Sequence, residues 1–261
     1  MPNETHPISS REYLRLAYEK IDQVANTQAD SLAAASRAIE ACIRADGVVQ
    51  AFGTGHSAGL AMEVAGRAGG LIATNLLSLQ DTIIYGGAAV DSLHWLSERE
   101  PEKAVEVLAL TEVRPQDLFV IISNSGANGS IVEMATIAKE GGHTVIAITS
   151  LEHSRQVASG HPSGKKLYEL ADIAIDNSAP FGDAAFALPD GSTAGAISSL
   201  TTIVAVQMIM ADVVAAFTTD GTAAPVFLSA NVPGGDSHNE SLVAHYGRRI
   251  RRMKLPSELA R

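Results

Sequence analysis

The sequence contains little cysteine, few aromatic residues and no excess of positive charge. Cys42 is the only cysteine among the 261 residues, so an intramolecular disulfide and a metal site built from thiolates are both excluded. Aromatic residues make up 5% of the chain, which argues against a stacking surface for single-stranded nucleic acid. With 19 lysines and arginines against 29 aspartates and glutamates, the net charge is −10. We therefore expect no nucleic-acid partner.

Signals for export or membrane insertion are also lacking. Residues 1–11 have no apolar run of the kind found in signal peptides. The stretch 194–217 is apolar, but it contains Gln207, Asp212 and many small residues. We interpret it as a buried helix or helix pair rather than a membrane span. We thus expect a cytoplasmic protein without a membrane partner.

One basic cluster lies near the end of the chain, on a stretch with a helical pattern. We interpret it as the solvated end of that helix, or as residues that pair with acids of a second subunit. Its members are Arg248, Arg249, Arg251, Arg252 and Lys254.

Short apolar runs alternate with helical patterns through the middle of the chain. The runs Val48–Phe52, Asp117–Ser123 and Thr144–Thr149 predict buried strands. Further strands are expected within 71–79 and 173–175, and helices within 10–45, 58–67, 90–110 and 130–140. Strands that alternate with helices in this way form a parallel sheet covered on both faces. The sequence therefore predicts a doubly wound α/β fold.

No repeat and no low-complexity linker divides the chain. We therefore predict a single domain over residues 1–261. It would consist of an N-terminal helical arm at 1–46, an α/β core at 47–218, and a C-terminal tail with a helix at 219–261.

Two loops rich in glycine and hydroxyl groups follow the strands Val48–Phe52 and Asp117–Ser123. Each leads directly into a predicted helix, where free backbone NH groups and the helix dipole favour an anion. Neither loop fits a P-loop or the G-x-G-x-x-G dinucleotide motif, and tight turns with helix caps are the simpler alternative. We predict an anion site without a cofactor or metal. Its binding residues are Gly55, Ser57, Ser123, Asn124, Ser125, Gly126 and Asn128.

These loops resemble those of sugar isomerase (SIS) domains. The segment Ser123–Asn128 is similar to the family's Ser-x-Ser-Gly-x-Thr/Ser loop, and Gly53–Ser57 is similar to its Gly-x-Gly-x-Ser loop. The chain looks like a little-characterised branch close to phosphoheptose isomerases in the loops. The resemblance implies a flavodoxin-like sheet, a homodimer or homotetramer, and a phosphosugar held by the loop serines. Asn128 replaces the usual hydroxyl, so the identity of the anion stays open.

The resemblance also implies candidate acids and bases. Phosphoheptose isomerases carry a glutamate three residues before a Gly-Arg pair, and Glu63 has the same spacing to Gly66-Arg67. Glu63 is thus the expected base for moving a proton between C1 and C2 of the sugar. A late histidine, often from a neighbouring subunit, opens the ring in such enzymes. His238 is the candidate here and His245 the alternative, while His56 in the first loop is a further candidate.

Two other functions fit the same loops. Lyases that cleave the lactyl ether of N-acetylmuramic acid 6-phosphate also have an SIS domain, and 231–242 loosely resembles their C-terminal pattern. Their extended first loop and their glutamate spacing are not reproduced here. A non-catalytic phosphosugar sensor would need a helix-turn-helix domain, for which the acidic N-terminal arm is too short. The isomerase is therefore the leading hypothesis.

Overall fold

A five-stranded parallel sheet forms the centre of the molecule. The structure is a computed structural model that describes residues 8–251. The strands lie in the order β2-β1-β3-β4-β5, and each neighbouring pair is parallel. This confirms the predicted doubly wound α/β class, and the order is that of flavodoxin-like folds. The strands are β1 (Val49–Gly53), β2 (Thr74–Leu77), β3 (Leu118–Ile122), β4 (Val145–Thr149) and β5 (Ile173–Asp176).

Helices precede, connect and follow the strands. They are α1 (Ser10–Thr27), α2 (Ala29–Arg44), α3 (Ser57–Val64), α4 (Asp81–Ile84), α5 (Glu102–Ala109), α6 (Gly129–Glu140), α7 (Leu151–Gln156), α8 (Leu167–Leu170), α9 (Ser198–Thr219) and α10 (Gly235–Tyr246). Short 3₁₀ turns lie at Val90–Ser92, Ser97–Arg99, Phe181–Asp183 and Gly247–Arg249. A small antiparallel pair, β6 (Phe186–Ala187) and β7 (Thr193–Ala194), comes before α9.

Each face of the sheet has its own hydrophobic core, because successive side chains of a strand point to opposite faces. Val49 and Ala51 of β1 belong to the core formed with α2, α3 and α9. Phe52 of β1 and Phe119 of β3 belong to the core formed with α5 and α6. Burial on both faces is what a covered parallel sheet requires.

Two predicted helices differ from those observed. The helix predicted over 90–110 is wrong for 90–99, where two 3₁₀ turns precede α5, and α5 begins directly after Pro101. Helix α3 ends at Val64 rather than at Arg67. Gly66 has a φ of 84°, a left-handed conformation that stops an α-helix and suits glycine.

Helix α9 is a single core helix rather than a helix pair. By length and composition it is apolar enough to cross a membrane. Its buried residues Ala205, Ile209 and Val213 nevertheless belong to the core shared with α2, α3 and the sheet. This confirms the interpretation of 194–217 as a buried helical segment.

Arg249 of the basic cluster is buried within its own chain. Its side chain is 3% exposed, and it pairs with Asp117 at 3.1 Å and with Asp46 at 3.3 Å. The interpretation of this arginine as solvated, or as paired with a second subunit, is therefore wrong. Both acids stand just before strands, where the sheet begins.

Arg251 is also paired with an acid of its own chain. Its guanidinium pairs with Asp81, and its backbone NH donates to Oδ1 of Asn75 at 2.8 Å. The chain after α10 thus runs beside the edge strand β2 instead of standing in solvent. Arg248 is exposed, while Arg252 and Lys254 lie outside the described residues.

Candidate functional site

The two predicted loops leave the sheet side by side. The register of β1 and β3 pairs Gly53 with Ile122, and neighbouring strands lie about 4.8 Å apart. The loops 54–57 and 123–128 therefore meet at the carboxyl edge of the sheet, by which we mean the edge where the parallel strands end. Since β2 lies on one side of β1 and β3 on the other, this is the topological switch point, where open α/β sheets bind ligands.

The second loop folds tightly around Gly126. This glycine has a φ of 59°, and a Cβ on it would lie 2.9 Å from Oγ1 of Thr149. Both conditions favour glycine. The Ser123 hydroxyl accepts a hydrogen bond from the Gly126 NH at 3.1 Å, and the Ser125 hydroxyl accepts one from the Ala127 NH at 3.4 Å. The turn thereby leads directly into α6.

The two asparagines of this loop have different surroundings. Oδ1 of Asn124 accepts a hydrogen bond from Asn177 at 3.1 Å, and its carbonyl oxygen accepts one from the Ser150 NH at 3.1 Å. Asn124 thus fastens the loop to the segments after β4 and β5. Asn128 is partly exposed at the start of α6, where its side chain makes no capping hydrogen bond. It is therefore free to contact a ligand.

The Glu98 carboxylate lies against the first loop. The sequence did not predict this contact. Gly55 has a φ of 54°, and a Cβ on it would lie 2.7 Å from Oε2 of Glu98. Ser57 begins α3 and is partly exposed. The His56 ring turns towards α9, with Nε2 at 3.1 Å from Oγ of Ser199.

Glu98 is held between the two loops by contacts of its backbone. Its carbonyl oxygen accepts a hydrogen bond from the Ser130 hydroxyl at 2.7 Å. The next carbonyl oxygen, that of Arg99, lies so close to Gly129 that a Cβ there would overlap it. The turn Ser97–Arg99 is thus wedged against the start of α6, and it presents the Glu98 carboxylate to the first loop. No local sequence pattern signals this long-range contact.

A pocket of about 390 Å³ opens beside the second loop. Its lining includes Arg99, Ser125 and Asn128, together with Ser159 and Gly160. The segment with Gly160 is fastened to the second loop, because the Gly160 NH donates to the Ala127 carbonyl at 2.8 Å. The volume lies within the range of small-ligand sites.

A second pocket, of about 350 Å³, lies beyond the end of β2. It is lined by residues of α3 such as Gly59 and Met62, together with Ser78 and Asp81. Burial raises the pKa of Asp81, although hydrogen bonds from the Ser78 NH and from Arg251 oppose that shift. Because its carboxylate is already engaged by these donors, Asp81 supports the wall of the pocket.

Glu63 lies on the face of α3 that packs against α9. Its carboxylate pairs with Arg67, and it accepts a hydrogen bond from Nε2 of Gln207 at 3.4 Å. It is about 9 Å of helix rise from Ser57. The described contacts do not join Glu63 to either loop, and its role as the base stays a prediction.

His238 lies at the opposite edge of the sheet from the loops. Its Nε2 is 3.0 Å from the carbonyl oxygen of Val226, and Val226 pairs with Leu71 in an isolated bridge. Leu71 precedes β2, so this is the amino edge, where the strands begin. The alternative, His245, is also there, at 2.7 Å from Asp46. A role for either histidine at the loops would need a second subunit.

Comparisons with known proteins agree with this architecture. A family model described as the SIS domain matches residues 12–150. A UPF0309 protein of Listeria monocytogenes is 36% identical over 239 residues, which cover 91% of this chain and 96% of that protein. A UPF0309 protein of Geobacillus kaustophilus is 35% identical over 240 residues, which cover 92% of this chain and 94% of that protein.

Two solved structures share the fold at lower identity. One is a putative phosphosugar isomerase involved in capsule formation from Bacteroides fragilis, with a TM-score of 0.53, 19% identity, and coverage of 80% of this chain and 92% of that one. The other is a phosphoheptose isomerase from Neisseria gonorrhoeae, with a TM-score of 0.53, 19% identity, and coverage of 78% and 96%.

Proposed function

Because this chain belongs to the SIS domain family, we propose that it binds a phosphorylated sugar, or a similarly anionic sugar, at its two loops. The observation that carries this proposal is the pairing of loops 54–57 and 123–128 at the switch point of the sheet. Both loops place hydroxyl groups near the start of a helix, where backbone NH groups and the dipole favour an anion. The binding residues in this proposal are Gly55, Ser57, Ser123, Ser125, Gly126 and Asn128, with Asn124 fastening the loop.

We further propose that the chain interconverts an aldose and a ketose by proton transfer. This reaction needs a base within reach of C1 and C2 of a sugar whose phosphate lies at the loops. The Glu98 carboxylate lies over Gly55, which supports Glu98 as the base. Glu63, paired with Arg67 and next to Gln207, is the rival candidate.

A two-step experiment tests this function. First, a panel of C4 to C7 sugar phosphates is screened by thermal shift, since a ligand that binds the folded state raises its stability. Second, each sugar that binds is incubated in D2O, and NMR follows the aldose–ketose interconversion together with deuterium at C1 of the ketose or at C2 of the aldose. Isomerisation predicts both signals. Release of lactate from N-acetylmuramic acid 6-phosphate would instead identify a lyase, and binding without turnover would identify a sensor.

Variants then separate the two glutamates. We expect Glu98→Gln to keep sugar-phosphate binding and to lower turnover by roughly 10²–10⁴-fold, as for the loss of a general base. Glu140→Gln, at the exposed far end of α6, is the matched control and should retain full activity. If Glu63→Gln shows the loss and Glu98→Gln does not, the base is Glu63.

We also propose that the chain is one domain that assembles into a homodimer or homotetramer. Only 44% of the most apolar stretch of α9 is buried within the chain. Val204, Met208, Ala211 and Ala215 recur on one helix face and are partly or fully exposed, a surface that a second copy would cover. A second subunit is also what a role for His238 at the loops requires. Light scattering at micromolar concentration tests the assembly, and a monomer would refute it.

A further inference from the structure

Arg99 places a cation beside the second loop. It is exposed, and no carboxylate among residues 8–251 forms an ion pair with its guanidinium. The group lies instead 5.5 Å from the centre of the Trp95 ring, a cation–π distance. The buried Arg249, by contrast, is bound by Asp117 and Asp46.

The backbone around Arg99 fixes where its side chain begins. The Ser130 hydroxyl donates a hydrogen bond to the carbonyl of Glu98, the residue before Arg99, at 2.7 Å. The Arg99 carbonyl packs directly on Gly129. The side chain therefore starts beside the first turn of α6. Asn128, directly before α6, lines the same pocket as Arg99.

This pocket, of about 390 Å³, is lined by Arg99, Ser125 and Asn128 together with Ser159 and Gly160. Three of its side chains, the Ser125 hydroxyl, the Asn128 amide and the Arg99 guanidinium, can donate hydrogen bonds. A chain with a net charge of −10 repels anions at long range, so local positive charge matters for an anionic ligand. The planar guanidinium matches the oxygens of a phosphate in a two-point arrangement.

We propose that Arg99 binds the phosphate group of the ligand in this pocket, and that it selects phosphomonoesters over neutral sugars. This inference rests on the proposed function, since it assigns the charged contact of the same site. Ser125 and Asn128 orient the phosphate oxygens, and Arg99 supplies the charge that these neutral side chains lack.

Trp95 provides a direct readout of this proposal. It is the only tryptophan of the chain, and it is 80% exposed. A ligand that draws the guanidinium towards its phosphate changes the surroundings of the indole. The protein is therefore titrated with inorganic phosphate and with C4 to C7 sugar phosphates while the fluorescence of Trp95 is recorded. The unphosphorylated sugars serve as neutral controls. Calorimetry measures the affinities independently.

The variants are Arg99→Gln, Arg99→Lys and Arg248→Gln. We expect Arg99→Gln to weaken binding of the phosphorylated ligands by roughly 10- to 100-fold, as for a lost hydrogen bond to a charged group. Arg99→Lys keeps the charge but loses the planar, two-point geometry of the guanidinium, so its affinity should lie between those of wild type and Arg99→Gln. Arg248 is also exposed but stands in the turn after α10, so Arg248→Gln should bind like wild type.

Two outcomes count against the proposal, and they are distinguishable. If wild type binds a sugar phosphate and Arg99→Gln binds it equally well, the role of Arg99 is refuted while the proposed function stands. If wild type binds none of the phosphorylated sugars, the proposed function fails and the inference falls with it. Since Arg99 is exposed, circular dichroism should show that Arg99→Gln is folded in either case.

Discussion

Polar and charged residues lie at both the amino edge and the carboxyl edge of the sheet, but their burial and their hydrogen-bond partners differ. At the amino edge, Asp117 is buried, and its oxygens accept hydrogen bonds from the Val48 NH at 2.8 Å, from Arg249 at 3.1 Å and from Gln50 at 3.0 Å. At the carboxyl edge, Ser125 and Arg99 are partly or fully exposed and have few protein partners. Buried polar groups that are paired within the chain stabilise a fold, whereas polar groups left unpaired at a pocket are available to a ligand.

The pairing at the amino edge continues across three strands. The amide of Asn75 in β2 donates to Oε1 of Gln50 in β1 at 2.8 Å, and Gln50 donates in turn to Asp117 just before β3. The Arg251 NH donates to Oδ1 of Asn75 at 2.8 Å. This network ties the segment after α10 to the sheet. Networks of this kind are costly to break because each buried member depends on the others.

The largest effect is expected at the amino edge. Asp117→Ala would leave Arg249 buried with one carboxylate partner fewer, and it would leave the NH2 group of Gln50 without its acceptor. We expect a loss of about 3–5 kcal/mol in the free energy of unfolding, as for breaking a buried ion pair. Urea denaturation measures it, with Asp236→Ala at an exposed position of α10 as the control. A loss below about 1 kcal/mol, the range of exposed ion pairs, would contradict the structural role of the network.

An intermediate effect is expected at the carboxyl edge, and on binding rather than stability. Ser125→Ala removes a donor to the ligand's anion and should weaken sugar-phosphate binding by about 1–3 kcal/mol. Its free energy of unfolding should change by less than about 0.5 kcal/mol. Calorimetry and urea denaturation on the same samples measure both quantities, with Ser241→Ala on α10 as the control. Unchanged affinity would remove Ser125 from the site.

The smallest effect concerns the pH dependence of the amino edge. A hydrogen bond from His245, together with the charge of Arg249, lowers the pKa of Asp46, while partial burial opposes this shift. A carboxylate with a lowered pKa stabilises the fold above its ordinary pKa, and this contribution is lost as pH falls through the lowered value. Because the Asp46 side chain is 46% exposed, we expect less than about 1 kcal/mol.

Comparison of wild type with Asp46→Asn tests that expectation. Urea denaturation between pH 6 and pH 2.5, a range set by ordinary carboxylate titration, should show wild type more stable at the upper end. The difference should shrink below pH 4, roughly the ordinary pKa of an aspartate. A difference that stays constant over the whole range would mean that the titration of Asp46 is not linked to folding.

The elements with strong local patterns were predicted closely. The apolar run Leu118–Ile122 forms β3 as expected, and α6 begins one residue before the predicted Ser130. The stretch 90–99 was predicted as part of a helix over 90–110, but its conformation is set by distant contacts such as that between Ser130 and the Glu98 carbonyl. Contacts of this kind leave no periodic signal in the sequence.

The same contrast between local patterns and distant contacts holds for the candidate site. The two loops were found because glycine and serine stand next to each other in the chain, before helices. Glu98 and Arg99 were missed because they reach the loops only through the packing of a turn against α6. Arg249 was misread because its partner Asp117 is far away in sequence. Local chemistry was predictable, whereas the pairing of distant charges was not.

The contact between Arg99 and Gly129 also has a mechanical consequence. The two backbones touch with no side chain between them, so a shift of the turn Ser97–Arg99 is passed directly to the first turn of α6. That helix is anchored by Ile131 and Met134 in a close-packed core, and such interiors transmit strain. Occupancy of the pocket should therefore damp the local opening of α6 well beyond its first turn, and slower amide hydrogen exchange along the helix would record it.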